Sequence, residues 1–165
     1  MSDARTALVL VDLQRWIVDM AWGPVGGEVV VEACGRLRDH FSTVVLVRYV
    51  RAGGPDAAPD QLVPGCTPRP GDHLVTKHGL DAFEDTGLDD VLHRERVTEV
   101  VVAGLSTAHG VAATAGTALR PGYGVVVVED ATASPDEAQH RAALDRLTAL
   151  GARTARVADL TAAGE

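Results

Sequence analysis

The sequence predicts an α/β domain: a three-layer, doubly wound, mainly parallel sheet of six strands with helices on both faces. Three observations predict it. Short β-branched runs alternate with longer Ala-rich stretches, as strands joined by crossover helices do. Several of those runs are almost continuously apolar, the mark of strands buried on both faces. Polar residues then stand just past the runs' ends, where open α/β sheets hold their ligands.

The strands are read at residues 6–12 (TALVLVD), 42–50 (STVVLVRYV), 73–77 (HLVTK), 99–105 (EVVVAGL), 124–130 (GVVVVED) and 152–158 (ARTARVA). Helices are read at about 27–40, about 86–94, 108–119 and 135–149. For the last, Ser134 is the expected N-cap, Pro135 suits the first helical position, Glu137 completes a capping box, and Gly151 ends the helix. One stretch breaks the alternation: residues 50–72 are rich in Gly and Pro and have no period. A loop that long in a compact domain is usually functional or disordered. It is read as a lid over one edge of the site, with a plain surface excursion as the alternative.

With 165 residues the chain suits one domain, taken as residues 1–165. Hydrophobic residues make up 46% and charged residues 23%, as in soluble globular proteins, while aromatics are only 4%. A net charge of −8 without a basic cluster argues against nucleic acid or an anionic membrane as partner. No apolar run is long enough to cross a bilayer, and the first residues lack signal-peptide character, so a cytoplasmic location is expected. Cys34 and Cys66 form no metal or redox spacing and are expected to be free thiols. The six histidines include no H-x-H or H-x3-H pair, so no metal and no cofactor is expected. A dinucleotide-binding role fails because VDLQRW, not G-x-G-x-x-G, follows the first strand.

Three polar features fall at strand ends: Asp12 after the first, Lys77 after the third, and the turn LSTAHG after the fourth. An acid in that position often only caps a helix. The joint occurrence of acid, amine and turn is what marks a site.

These landmarks carry a resemblance. LVLVDLQRWI, VTKHGLDAF and VVVAGLSTAHGVAATAGTALRPGYGVVVVEDATAS resemble, in order and spacing, the three signature blocks of the isochorismatase-like hydrolases, also called cysteine hydrolases. The resemblance runs over roughly residues 5 to 157 and implies a Rossmann-like topology. It implies a catalytic Asp and companion Gln at Asp12 and Gln14, and a catalytic Lys at Lys77 before Ala82 and Phe83. The third block of the family usually reads G-x-x-T-x-x-C; here it is Gly104, Thr107 and Gly110, so the nucleophilic Cys is replaced by glycine. The resemblance further implies a non-proline cis peptide at Leu105–Ser106, and an oxyanion site made of the Ser106 and Gly110 amides.

The isochorismatases within that family also have Gly at this position. Their reaction hydrolyses a vinyl ether: an Asp protonates the enol carbon and water captures the oxocarbenium, with no protein nucleophile. Trp16 stands where that branch has an aromatic, His109 lies one position from that branch's His, and Ser106 replaces its Tyr. Arg48 and Arg51 are candidates to hold a substrate carboxylate, with Gln61 in the loop as a further contact. Ser106 and Thr107 are hydroxyls near the missing thiol, and the sequence shows no His–Asp relay for either.

The resulting expectation is a Cys-independent hydrolase of a small polar metabolite, with secondary metabolism as the setting. Asp12 is the acid/base, Lys77 stabilises charge, Gly110 leaves room, and Ser106, His109, Gln14, Trp16 and Arg48 bind substrate. The family likeness also implies a homo-oligomer. Lys77 should lower the Asp12 pKa and burial should raise it, so acid, base and nucleophile all stay open for Asp12. A non-catalytic binding or scaffold protein, and a ring-opening or amide hydrolase using activated water, are the alternatives.

Overall fold

The computed structural model describes residues 5–51 and 61–162. Six strands, β1 (Thr6–Val11), β2 (Thr43–Tyr49), β3 (His73–Lys77), β4 (Glu99–Leu105), β5 (Gly124–Ala133) and β6 (Arg153–Ala155), form one sheet in the order β3-β2-β1-β4-β5-β6. Every pairing is parallel, so the expected mainly parallel sheet is wholly parallel. Strand order reverses between β1 and β4, and a crevice opens beyond the carboxyl ends at such a switch.

Period-two alternation divides the core. Val9, Val11, Val45, Val47 and Val102 face one layer, packed by α3 (Leu88–Arg94), α4 (Ala112–Leu119) and α5 (Glu137–Leu150). Leu8, Leu10, Leu46, Val101 and Ala103 face the other, covered by α1 (Arg15–Val18), α2 (Gly27–Arg38) and α6 (Val157–Thr161). Small residues let the helices lie close: Ala115 and Ala118 of α4 are fully buried against the valines. Cys34 and Cys66 are free and buried in the second layer.

Several boundaries differ from the expected ones. Helix α5 begins at Glu137, and its cap is Asp136, whose carboxylate accepts the Gln139 amide at 2.8 Å. Ser134 is engaged elsewhere: its backbone bridges Gly23, and its hydroxyl accepts the Ala108 amide at 3.0 Å. Gly151 does end the helix, in the left-handed conformation. The expected strand 152–158 keeps only Arg153–Ala155; the chain then turns at Arg156 into α6. Neither α1 nor α6 was expected, because each is little more than one turn and has no readable period. β5 runs on to Ala133, across a register shift opposite Val102 and Gly104 of β4.

Of the segment 50–72 expected to form a lid, residues 50–51 and 61–72 are described. Leu62, Val63 and Cys66 pack in the second layer, most of residues 64–72 are exposed, and none of residues 61–72 lines the cavity described below. Val63 and Cys66 are buried there, and Leu62 bridges Gln14. The Arg38 guanidinium, buried at the end of α2, donates to the carbonyls of Gly65 (2.7 Å) and Thr67 (2.9 Å) and pairs with Asp72 (2.6 Å). A buried charge held on three sides staples this segment to the domain. Residues 52–60 lie outside the described residues.

Candidate active site

Asp12 directly follows β1 and adopts a left-handed backbone, φ 58°. This conformation costs about 1–2 kcal/mol for most residues, and Asp is among those that tolerate it best. It ends the strand abruptly at the switch between β1 and β4. Gly104 makes the same junction tight. At φ 116°, a Cβ there would lie 2.3 Å from the Val11 carbonyl oxygen, so only glycine allows β4 to run this close to β1.

Lys77, the last residue of β3, reaches back over the sheet. Its side chain is 1% exposed, and its ammonium lies 3.0 Å from Asp12 Oδ2, donates to the Gly79 carbonyl at 2.9 Å, and sits 5.3 Å from the centre of the Tyr49 ring. Carboxylate, carbonyl and ring face together accommodate a buried cation. The other Asp12 oxygen, Oδ1, is buried and has no hydrogen-bond partner among the described residues. Burial pushes the Asp12 carboxyl up to about 6, against the lowering by the Lys77 charge and hydrogen bond. Desolvation therefore wins the contest that the sequence left open.

The third element is the turn after β4. The Leu105–Ser106 peptide is cis, as the resemblance implied. A π-helical turn, Thr107–Val111, follows and runs into α4. Ser106 stands at its N-cap, and its hydroxyl shares a 2.7 Å hydrogen bond with His109 Nδ1. Thr107 turns inward and shares a 2.7 Å hydrogen bond with the buried His140 ring, whose pKa burial lowers. A Cβ on Gly110 would stand 3.5 Å from Asp12 Oδ2 and 3.2 Å from Val11 Cγ1. A side chain at this position would thus begin beside the Asp12 carboxylate.

Together these elements border an open cavity of about 230 Å³. Of the residues expected at the site, Asp12, Trp16, Lys77, Ser106, His109 and Gly110 all line it. Two do not. Gln14 is buried, and its amide brackets the Tyr49 backbone, donating to its carbonyl at 2.8 Å and accepting its N–H at 2.7 Å. It secures the end of β2 rather than facing substrate. Arg48 alternates to the opposite side of β2 from Tyr49, and its Nε donates to Thr76 on β3 at 2.9 Å. Arg51 and Gln61 are likewise absent from the lining. Neither cysteine is near, and burial holds both thiols above their ordinary pKa, Cys66 at about 11.

The sequence reading missed most of the apolar wall: Ile17, Met20, Trp22, Tyr49, Leu80 and Leu105. Tyr49 had a usable signal, since it closes β2 on the same end of the sheet as Asp12 and Lys77. The others come from α1 and connecting segments without a period. Trp16, Met20 and Leu80 are exposed and form an apolar rim. Among the described residues, Lys77 is the only Lys or Arg in the lining.

A buried carboxyl–ammonium pair thus lies at the switch point, beside a turn opening a helix, and borders an open cavity. The isochorismatase domain model matches residues 6–159, and the chain belongs to the isochorismatase family of hydrolases. It is 30% identical over 161 residues to YwoC, an uncharacterised isochorismatase family protein of Bacillus subtilis, covering 85% of this chain and 84% of that one. It is 36% identical over 138 residues to the streptothricin hydrolase of Streptomyces noursei, covering 79% of this chain and 50% of the relative. The chain therefore spans about half the length of that enzyme. An isochorismatase family protein of Burkholderia thailandensis superposes with a TM-score of 0.86 at 31% identity, over 96% of this chain and 94% of that one.

Proposed function

We propose that this protein hydrolyses a small substrate without a cysteine nucleophile, using Asp12 to transfer the proton and Lys77 to hold the carboxyl in place. The observation that carries this reading is the asymmetry of the Asp12 carboxyl. Oδ2 is fixed by Lys77, while Oδ1, in a side chain that lines the cavity, is buried without a partner among the described residues. A carboxyl with a pKa near 6 keeps a sizeable protonated fraction close to neutral pH and remains a strong enough acid to give that proton up.

Vinyl ether hydrolysis is the nearest precedent. The Asp12 proton would pass to the enol carbon, water would add to the resulting oxocarbenium, and the hemiacetal would collapse to a carbonyl compound and an alcohol. Gly110 suits this chemistry because it leaves room beside Asp12 where a nucleophilic side chain would otherwise begin. The Ser106 and Gly110 amides would receive the substrate oxygen.

The mostly apolar lining narrows the expected small polar metabolite to one with an apolar body and a single polar reacting group. Among the described lining residues, a substrate with two carboxylates would meet no Lys or Arg other than Lys77, which is already paired. Similarity to an enzyme named streptothricin hydrolase supports a second reading, hydrolysis of an amide by activated water at the same carboxyl. The exposed rim of Trp16, Met20 and Leu80 supports a homo-oligomer that covers the cavity mouth. A cytoplasmic location is favoured by two buried free thiols, and secondary metabolism rests on family likeness alone.

The test is turnover of ethyl vinyl ether, read as acetaldehyde, by wild type and by Asp12→Asn, with isochorismate, a dicarboxylate, expected to be a poor substrate. Release by wild type that disappears in the variant supports the reading. Equal release by both removes Asp12 from the mechanism.

A further inference from the structure

We propose that Ser106 and His109 form a nucleophile–base pair, giving this cavity an acyl-transfer activity on small esters or activated amides. The pair is not an accident of helix capping. A serine at a helix N-cap ordinarily accepts an amide of the first turn, yet Ser106 makes no such side-chain bond. That duty passes to Ser134 at the end of β5, whose hydroxyl accepts the Ala108 amide at 3.0 Å. The Ser106 hydroxyl is thereby released and meets His109 Nδ1 at 2.7 Å.

His109 is tied to Ser106 twice, since its backbone amide also donates to the Ser106 carbonyl at 3.1 Å. The wide π-turn sets the spacing, with Val111 closing on the same carbonyl at 3.1 Å. Both residues line the cavity, and Gly110 between them and Asp12 leaves it open. A hydroxyl within hydrogen-bond reach of an imidazole is the minimum arrangement for an activated serine.

The reaction balances with water alone. Ser106 Oγ attacks the acyl carbon while His109 Nδ1 takes the hydroxyl proton. The carbon–oxygen or carbon–nitrogen bond to the leaving group then breaks, and the imidazolium returns that proton to it. Water, deprotonated by His109, attacks the acyl-serine, and the proton goes back to Ser106. The sum is ester plus water giving acid plus alcohol. The apolar walls, among them Trp16, Tyr49 and Leu105, suit a short hydrocarbon acyl group.

This proposal stands apart from proton transfer by Asp12 and is tested separately. The probe is a short-chain alkyl fluorophosphonate, with the adduct measured by intact mass and located by peptide mass spectrometry. We expect one adduct, on Ser106, absent in Ser106→Ala and formed about 100-fold or more slowly in His109→Gln. Circular dichroism confirms that both variants fold, and His109→Asn replaces His109→Gln if that variant does not. No adduct, an adduct at another residue, or an unchanged rate in a folded His109 variant overturns the proposal. Labelling without vinyl ether turnover leaves the pair standing and counts against the Asp12 reading; turnover without labelling does the reverse.

Discussion

Asp12 and Lys77 meet through a single oxygen: the ammonium lies 3.0 Å from Oδ2, and Oδ1 has no partner among the described residues. A symmetric ion pair would hold the carboxylate ionised. This one-sided pair, buried at the strand ends, leaves the carboxyl pushed up to about 6.

An acid role has a definite pH signature. Vinyl ether turnover should be highest below pH 6 and fall about tenfold per unit above it, as the Asp12 proton is lost. A rate that instead rises to a plateau above pH 6 would make Asp12 a base. In either case Asp12→Asn should lower turnover by about 100- to 10,000-fold, the loss typical of removing one general acid or base.

The same carboxyl predicts how stability depends on pH. The folded state binds the Asp12 proton more tightly than the unfolded chain, where the pKa is near 3.8. Stability from this group is thus fully present below pH 3.8 and declines as pH rises towards about 6. Measured by urea unfolding, wild type should lose roughly 3 kcal/mol relative to Asp12→Asn across that window. A difference between the two proteins that stays constant from pH 4 to pH 7 would show that the Asp12 pKa is not raised by folding.

Gly110→Ala should separate space from backbone requirement. The new Cβ would lie 3.2 Å from Val11 Cγ1 and 3.5 Å from Asp12 Oδ2. Alanine in the turn gains up to about 1 kcal/mol of helix propensity, which offsets the crowding. The melting temperature should therefore change little while turnover falls. A large drop in melting temperature would mark Gly110 as a structural glycine.

Gly104→Ala should do the opposite. A left-handed backbone and a 2.3 Å approach to the Val11 carbonyl oxygen leave no room for adjustment. The expected loss is about 3 kcal/mol or more, seen in chemical denaturation or as insoluble protein. A variant of wild-type stability would mean that β4 can shift away from β1.

Arg38→Met tests the staple under the loop. Removing a buried guanidinium that serves Gly65, Thr67 and Asp72 should cost roughly 3 kcal/mol and open residues 61–72 to proteolysis. Unchanged protease resistance would show that Val63 and Cys66 hold the segment by themselves.

Much of this molecule was written in its sequence. The apolar runs and their polar ends determined the sheet; strand ends, being local features, placed Asp12 and Lys77 at its carboxyl edge, and the family resemblance pointed to Gly110. Three things were decided only by tertiary structure. Gln14 and Arg48 lie close to cavity residues in sequence, but Gln14, at the start of α1, turns to the Tyr49 backbone, and strand alternation turns Arg48 to Thr76. The apolar wall assembles from α1 and from separate connections, so no single stretch announces it. The Ser106–His109 bond depends on Ser134, 28 positions after Ser106, taking over the capping of a helix that is not its own. Sequence periodicity reports which face a residue shares with its neighbours in the same element. Which hydrogen-bonding group serves which amide depends on packing between elements, which a single element's periodicity does not report.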